Sequence, residues 1–319
     1  MLYVLSCLPL VAESDTIQET LSREASVTIA ACYVSPEGLV LGADSTTTYV
    51  LNGANHYFNH AQKLFEIGED STLGIVTWGL GGLGLKSYRS LIATLSDNLA
   101  ATPPTSVADV CEKWIDIFWQ EYVGFAGYAR WEVLNKKAAH DPAQPAPDKR
   151  TEDEEREFTN LSYIFVVGFC LGGRLSSDRS AAAYQMIFDP KAGRPSPVEI
   201  PLGSFSFWGA PNIVSRLIFA CDGNLSGSIL KSPHWSGTAA DLQTLLNEHH
   251  MMHPPNLPVR EAIDFVNFCI FSTIKALKFS NFSQICGGPI EIAVITSDRK
   301  FRWIRHKPLD SAVTEGEPQ

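Results

Sequence analysis

The chain of 319 residues has no cysteine pair at CxxC spacing, no basic run and no long apolar run, and each absence removes a class of function. Its seven cysteines (Cys7, Cys32, Cys111, Cys170, Cys221, Cys269 and Cys286) are odd in number and widely spaced. They suit neither a zinc site nor a disulfide framework, and they read as reduced, buried thiols of a cytoplasmic protein. No run reaches the roughly 18 apolar residues that a membrane span needs, so no membrane partner is expected. The apolar stretch from Leu2 to Ala12 lacks the basic segment that opens a secretory signal. Lys and Arg number 25 against 35 Asp and Glu, a net charge of −10, and the densest like-charge run, Glu152 to Glu155, is acidic. A chain of this sign repels phosphate backbones, so nucleic acid is not an expected partner.

What is present is a globular composition, 45% hydrophobic and 19% charged, with enough apolar residues for a sizeable core. Residues 1–25 read as an N-terminal extension or propeptide. Ser26 to Val34, the turn Ser35-Pro36-Glu37-Gly38 and Leu39 to Ala43 form an expected hairpin. Short strands are expected at Leu64 to Ile67 and Leu73 to Trp78, then helices at Leu85 to Leu99 and Val107 to Val123. The stretch 138–157, rich in Pro, Ala and charge, reads as a mobile surface insertion within a single domain spanning 26–306. Strands are expected again at Tyr163 to Cys170, Ala183 to Phe188 and Val198 to Ile200. Helices follow at Pro211 to Cys221 and Val259 to Leu277, then a hairpin of Ile290 to Ile295 with Phe301 to Ile304. Residues 307–319 read as a polar tail. Strands and helices in separate groups point to layered α+β packing rather than βαβ alternation.

Four stretches, in order, resemble a known family. Thr28 to Ser45 runs from a threonine through a hairpin to Gly42-Ala43-Asp44-Ser45. Gln62-Lys63-Leu64-Phe65-Glu66-Ile67 is a strand bearing a lysine. Thr77-Trp78-Gly79-Leu80-Gly81-Gly82 is a glycine turn ahead of a helix. Cys286-Gly287-Gly288-Pro289 opens the last apolar strand. Together they resemble proteasome β-type subunits, of the N-terminal-nucleophile (Ntn) hydrolase family, over about residues 26–304. The resemblance implies a four-layer αββα sandwich, a peptide or small amide substrate, no cofactor, and assembly into a homo-oligomer. Such rings also contain non-catalytic subunits, and the wider superfamily includes small-molecule amidohydrolases.

By this resemblance Thr28 is the nucleophile, with Ser26 the alternative if the hairpin runs two residues longer. A threonine at a free N-terminus needs no other base, because its own α-amine takes the hydroxyl proton. Lys63 is the expected cation beside the hydroxyl, and Asp44 the carboxylate that keeps Lys63 charged. Gly81 is the expected oxyanion donor through its backbone N–H, with Gly82 the alternative. Several positions depart from the family. Val27 stands where self-cleaving members have Gly, Ser283 and Cys286 where they have Asp and Ser, and Ala210 where they have Ser. If residues 1–27 stay attached, Thr28 has no free amine and this chemistry cannot run.

Other signals are weaker. His249 and His253 share a helical spacing, but no Glu completes a zinc-binding HExxH and Pro254-Pro255 ends any helix, so no metal is expected. The glycines from 79 to 84 lack the βαβ unit of a dinucleotide site. Trp114, Trp119 and Trp131 read as core or interface. Cys32 and Cys286 read as inert packing rather than nucleophiles.

Overall fold

The computed structural model describes residues 28–51, 54–138, 149–175, 179–251, 256–280 and 285–307. The expected extension over 1–25 and Ser26 lie outside them, as do Ser283, His253 and positions 308–319 of the expected tail. Among the described residues twelve strands form three antiparallel sheets and eight helices flank them.

The first large sheet has the order β10 (Phe205–Gly209), β1 (Ile29–Ser35), β2 (Gly38–Ala43), β11 (Glu291–Thr296), β12 (Arg302–Arg305). The second has β5 (Leu64–Glu66), β6 (Leu73–Gly79), β7 (Val167–Gly173), β8 (Ala182–Phe188), β9 (Val198–Glu199). Both have buried central strands, and the alternation of side chains explains why those strands read as unbroken apolar runs. In β1, Ala30, Cys32 and Val34 join Val76, Trp78, Cys170 and Ala183 of the second sheet in one cluster between the sheets. The intervening Ile29, Ala31 and Tyr33 pack with Val266 and Ile270 of α8 (Val259–Lys278). On the second sheet's other face, Ile75, Phe169 and Phe188 pack against α1 (Tyr88–Ala101) and α2 (Val107–Gly124). Ser87 and Ser106 cap these two helices by accepting the N–H groups of Ser90 and Asp109.

The structure differs from the sequence expectation in several places. Two helices stand around the expected insertion: α3 (Ala126–Lys137) and α4 (Glu152–Ile164). The second begins with a capping box between Thr151 and Glu154, so of 138–157 only 139–148 lies outside the described residues. Tyr163, expected in a strand, closes α4, and β7 begins at Val167. A small hairpin, β3 (Thr47–Leu51) with β4 (Ala54–Phe58), was not anticipated. Neither were β10, which precedes the expected short helix α5 (Asn212–Phe219), nor α6 (Gly223–Lys231) and α7 (Ala239–Asn247), which follow it. Lys307, placed at the head of a polar tail, is instead buried.

Candidate active site

The site lies where β1, the end of β2 and the start of β5 meet, and its geometry begins with Asp44. This residue follows β2, and its side chain is fully buried. A buried carboxylate must have its acceptor capacity filled. Asp44 Oδ1 accepts from Ile29 N at 3.2 Å and Lys63 Nζ at 2.8 Å, while Oδ2 accepts from Thr46 N at 3.2 Å and Gly287 N at 2.9 Å. Three segments distant in sequence converge on this one side chain.

Lys63 stands just before β5 and is 5% exposed. Beyond Asp44, its ammonium donates to the Thr46 carbonyl at 2.5 Å. The hairpin β3–β4 explains how residues 44 and 63 meet. It is closed at its base by Ala61 N donating to Ser45 O at 2.9 Å and by Thr46 Oγ1 donating to Asn59 Oδ1 at 2.8 Å. The chain leaves the sheet after Asp44, turns through the hairpin and returns with Lys63 beside it.

Thr28 precedes β1 and is buried. Its carbonyl accepts from Ala210 N at 2.8 Å. That contact needs glycine at 209, where φ is +86° and a Cβ would lie 1.8 Å from Thr28 O. Thr28, Lys63 and Gly81 line one small cavity of about 40 Å³, together with Thr47, Thr77 and Trp78. Tyr88 also lines it and donates its hydroxyl to the Leu80 carbonyl, which ties the glycine turn to α1. Trp78 forms one wall, stacked on Trp208 with ring centroids 4.4 Å apart. It presses so closely on Gly168 that a Cβ there would lie 2.1 Å from the indole.

Of the residues singled out from the sequence, Thr28, Lys63 and Gly81 therefore reach one cavity, and Asp44 holds Lys63 from behind. Cys286 is buried beside them, and burial first, then the Asp44 carboxylate, push its thiol well above the usual range. Ala210 faces Thr28 through its backbone rather than a hydroxyl. His249 follows α7, and among the described residues no three His, Cys, Asp or Glu side chains converge as a metal site.

Two charged residues of the site's rear were not singled out. Glu291 opens β11, directly opposite Ala43, and is fully buried. Lys307 lies 3.1 Å from Glu291 Oε2 and donates to Ser45 Oγ at 3.2 Å and Ala61 O at 2.8 Å. Burial draws the Lys307 ammonium below its usual pKa, and Glu291 opposes that pull. A lone acidic residue inside the apolar run Pro289 to Ile295 was the signal available for Glu291.

No protein-family profile and no curated protein matches the chain. Among solved structures it is similar to a Gly-1 mutant of Anbu from Hyphomicrobium sp. strain MC1. The identity is 12% and the TM-score 0.47, over 90% of this chain and 94% of that one. The expected membership of the proteasome β-type family is corrected by these findings: no family profile matches the chain. No helix among the described residues is long and apolar enough to cross a membrane.

Proposed function

We propose that this site hydrolyses amide bonds with Thr28 as an N-terminal nucleophile. The observation that carries the reading is the buried Lys63–Asp44 pair, 2.8 Å apart, behind a cavity that Thr28 also lines. Burying two charges costs more than an apolar pair of equal volume would, so a buried ion pair at a cavity points to chemistry rather than to stability. The αββα order of layers is part of this reading, supported by the core clusters on both faces of each large sheet.

The reaction runs in two halves. Thr28 Oγ1 forms a bond to the substrate carbonyl carbon while the Thr28 α-amine accepts its proton, directly or through water. The carbonyl π electrons move to oxygen, and the backbone N–H of Gly81 donates to that oxyanion. The C–N bond then breaks, and the leaving amine takes the proton. Water hydrolyses the ester that remains and restores Thr28. Lys63 contributes positive charge that favours the neutral amine and the developing alkoxide, and Asp44 holds Lys63 in place at 2.8 Å. The mechanism requires scission of the Val27–Thr28 bond.

A cavity of about 40 Å³ holds little more than a water beside the nucleophile, so the substrate chain lies across the mouth rather than inside. Six described cysteines, all free and buried, suit a reducing compartment such as the cytoplasm.

Intact mass of the purified protein and turnover of a panel of peptide and non-peptide amides test the reading together. A chain beginning at Thr28, with Thr28→Ala losing at least ~10³-fold in rate at unchanged fold, is expected. Full turnover by Thr28→Ala overturns it.

A further inference from the structure

Lys307 is a buried cation that the chemistry above does not use. It closes the rear of the site as a clasp across the two feet of the β3–β4 hairpin, meeting Ser45 Oγ at one foot and Ala61 O at the other. Ser45 is itself fixed, donating its hydroxyl to Pro289 O at 2.7 Å and its N–H to Gly287 O at 3.0 Å. The residues on either side of Ser45 are Asp44 and Thr46, the two acceptors of Lys63. Behind Lys307 stands Glu291, whose other oxygen lies 2.8 Å from His306 Nδ1. The His306 ring stacks on Trp303 and is the partly exposed end of the chain of charges.

We infer that Lys307 is a positioning residue for this site, its Nζ fixing the turn that carries Asp44 and Thr46, the two acceptors of Lys63. The inference rests on the proposed hydrolase reading for its effect on rate, and on geometry alone for the clasp on Ser45 and Ala61. The charged and titratable groups around Lys307 are Glu291 from β11, His306 from the end of β12, Asp44 and Lys63 across the hairpin, Cys286 ahead of β11, and the exposed His60 beside Ala61. Asp44 and Lys63 both act on the charge of Lys307, the first favouring it and the second opposing it.

The test pairs steady-state amide turnover with amide hydrogen exchange at Thr46 and Ala61 N–H, whose acceptors are Asp44 Oδ2 and Ser45 O. In the Lys307→Met full chain kcat per folded molecule is expected to fall at least ~10-fold with KM little changed, and exchange at both amides to quicken by a similar factor. Lys307→Arg, which keeps the cation, is expected to restore most of kcat. A variant that lost packing alone would not be rescued by the second cation. Lys307→Met leaves Glu291 without Lys307, and if it fails to fold, Ser45→Ala, which removes one foot of the clasp, decides by the same two readouts. Unchanged kcat and unchanged exchange in the folded variant overturn the inference. Quickened exchange in a native chain that turns over no amide upholds the clasp and defeats the hydrolase reading.

Discussion

The two faces of the second sheet are built on opposite principles. Towards α1 and α2 the packing is aromatic and uncharged. Phe118 sits 4.8 Å from Phe169 and 4.6 Å from Phe188 between ring centroids, edge to face, with Trp114 and Tyr122 completing a fully buried group. Towards the first sheet, at the end where β1, β2 and β5 meet, the buried set contains Asp44, Lys63, Glu291 and Lys307. Aromatic packing returns stability for every contact made. Buried ion pairs return little net stability, because desolvation offsets their attraction. The helix side is therefore apolar throughout, while the side between the sheets joins an apolar cluster to a charged end whose burial stability does not explain.

Mutation separates the two. Phe118→Ala is expected to cost about 3–5 kcal/mol in denaturant unfolding, the usual cost of emptying an aromatic site in a packed core, with the rate per folded molecule unchanged. Asp44→Ala is expected to cost a similar ~3–5 kcal/mol for a different reason. It strands the Lys63 ammonium and removes the acceptor of the Ile29, Thr46 and Gly287 N–H groups. The double change Asp44→Leu with Lys63→Met sharpens the contrast. It should recover only the part due to the stranded Lys63 charge, because the Ile29, Thr46 and Gly287 N–H groups still lack their acceptor, and amide turnover should stay absent. Recovery of turnover in the double variant would show that the pair serves packing alone.

The same contrast governed what could be read from sequence. Strands β1, β2, β6 and β11 were legible because both of their faces are apolar and glycine or Ser-Pro turns bound them. The helix α4 was not, because Tyr163-Ile164-Phe165-Val166-Val167 is one continuous apolar run, and periodicity alone cannot divide a helix end from a strand start within it. Its capping box at Thr151 and Glu154 was a readable start signal. The Asn52-Gly53 pair between β-rich segments likewise marked the β3–β4 hairpin. At the site, Thr28, Asp44, Lys63 and Gly81 were singled out by motif, and the structure brings them to one place. Glu291 and Lys307 carry no motif. Their role depends on β11 pairing with β2 so that Glu291 falls opposite Ala43, a register that no local pattern encodes.

Gly209 probes the border between the two kinds of packing. Its positive φ lets β10 approach Thr28 O, and alanine there must either adopt a strained backbone or push the Thr28 segment away. Gly209→Ala is expected to lower stability by about 1–3 kcal/mol. It should lower turnover by more than that stability loss accounts for, read as rate per folded molecule. Equal activity per folded molecule would detach this contact from the site.

The smallest effect is a pH dependence. Lys307 has a folded-state pKa below its unfolded value of 10.5, chiefly through burial. Between those two pH values the unfolded chain binds more protons than the folded one, so this residue makes stability rise with pH across that window. Below the folded pKa both states hold the proton, and its cost is present in full. Tyr122, whose hydroxyl burial pushes far above its usual range, acts in the opposite direction at alkaline pH. The contribution of Lys307 is therefore read as a difference between urea unfolding curves of the native chain and of Lys307→Met, from pH 8 to about 11. The gap between the two should change in favour of the native chain as pH rises through the window. A gap that stays constant with pH would mean that Lys307 keeps its ordinary proton affinity despite its burial, and that the charged end of the sheets is better solvated than its packing indicates.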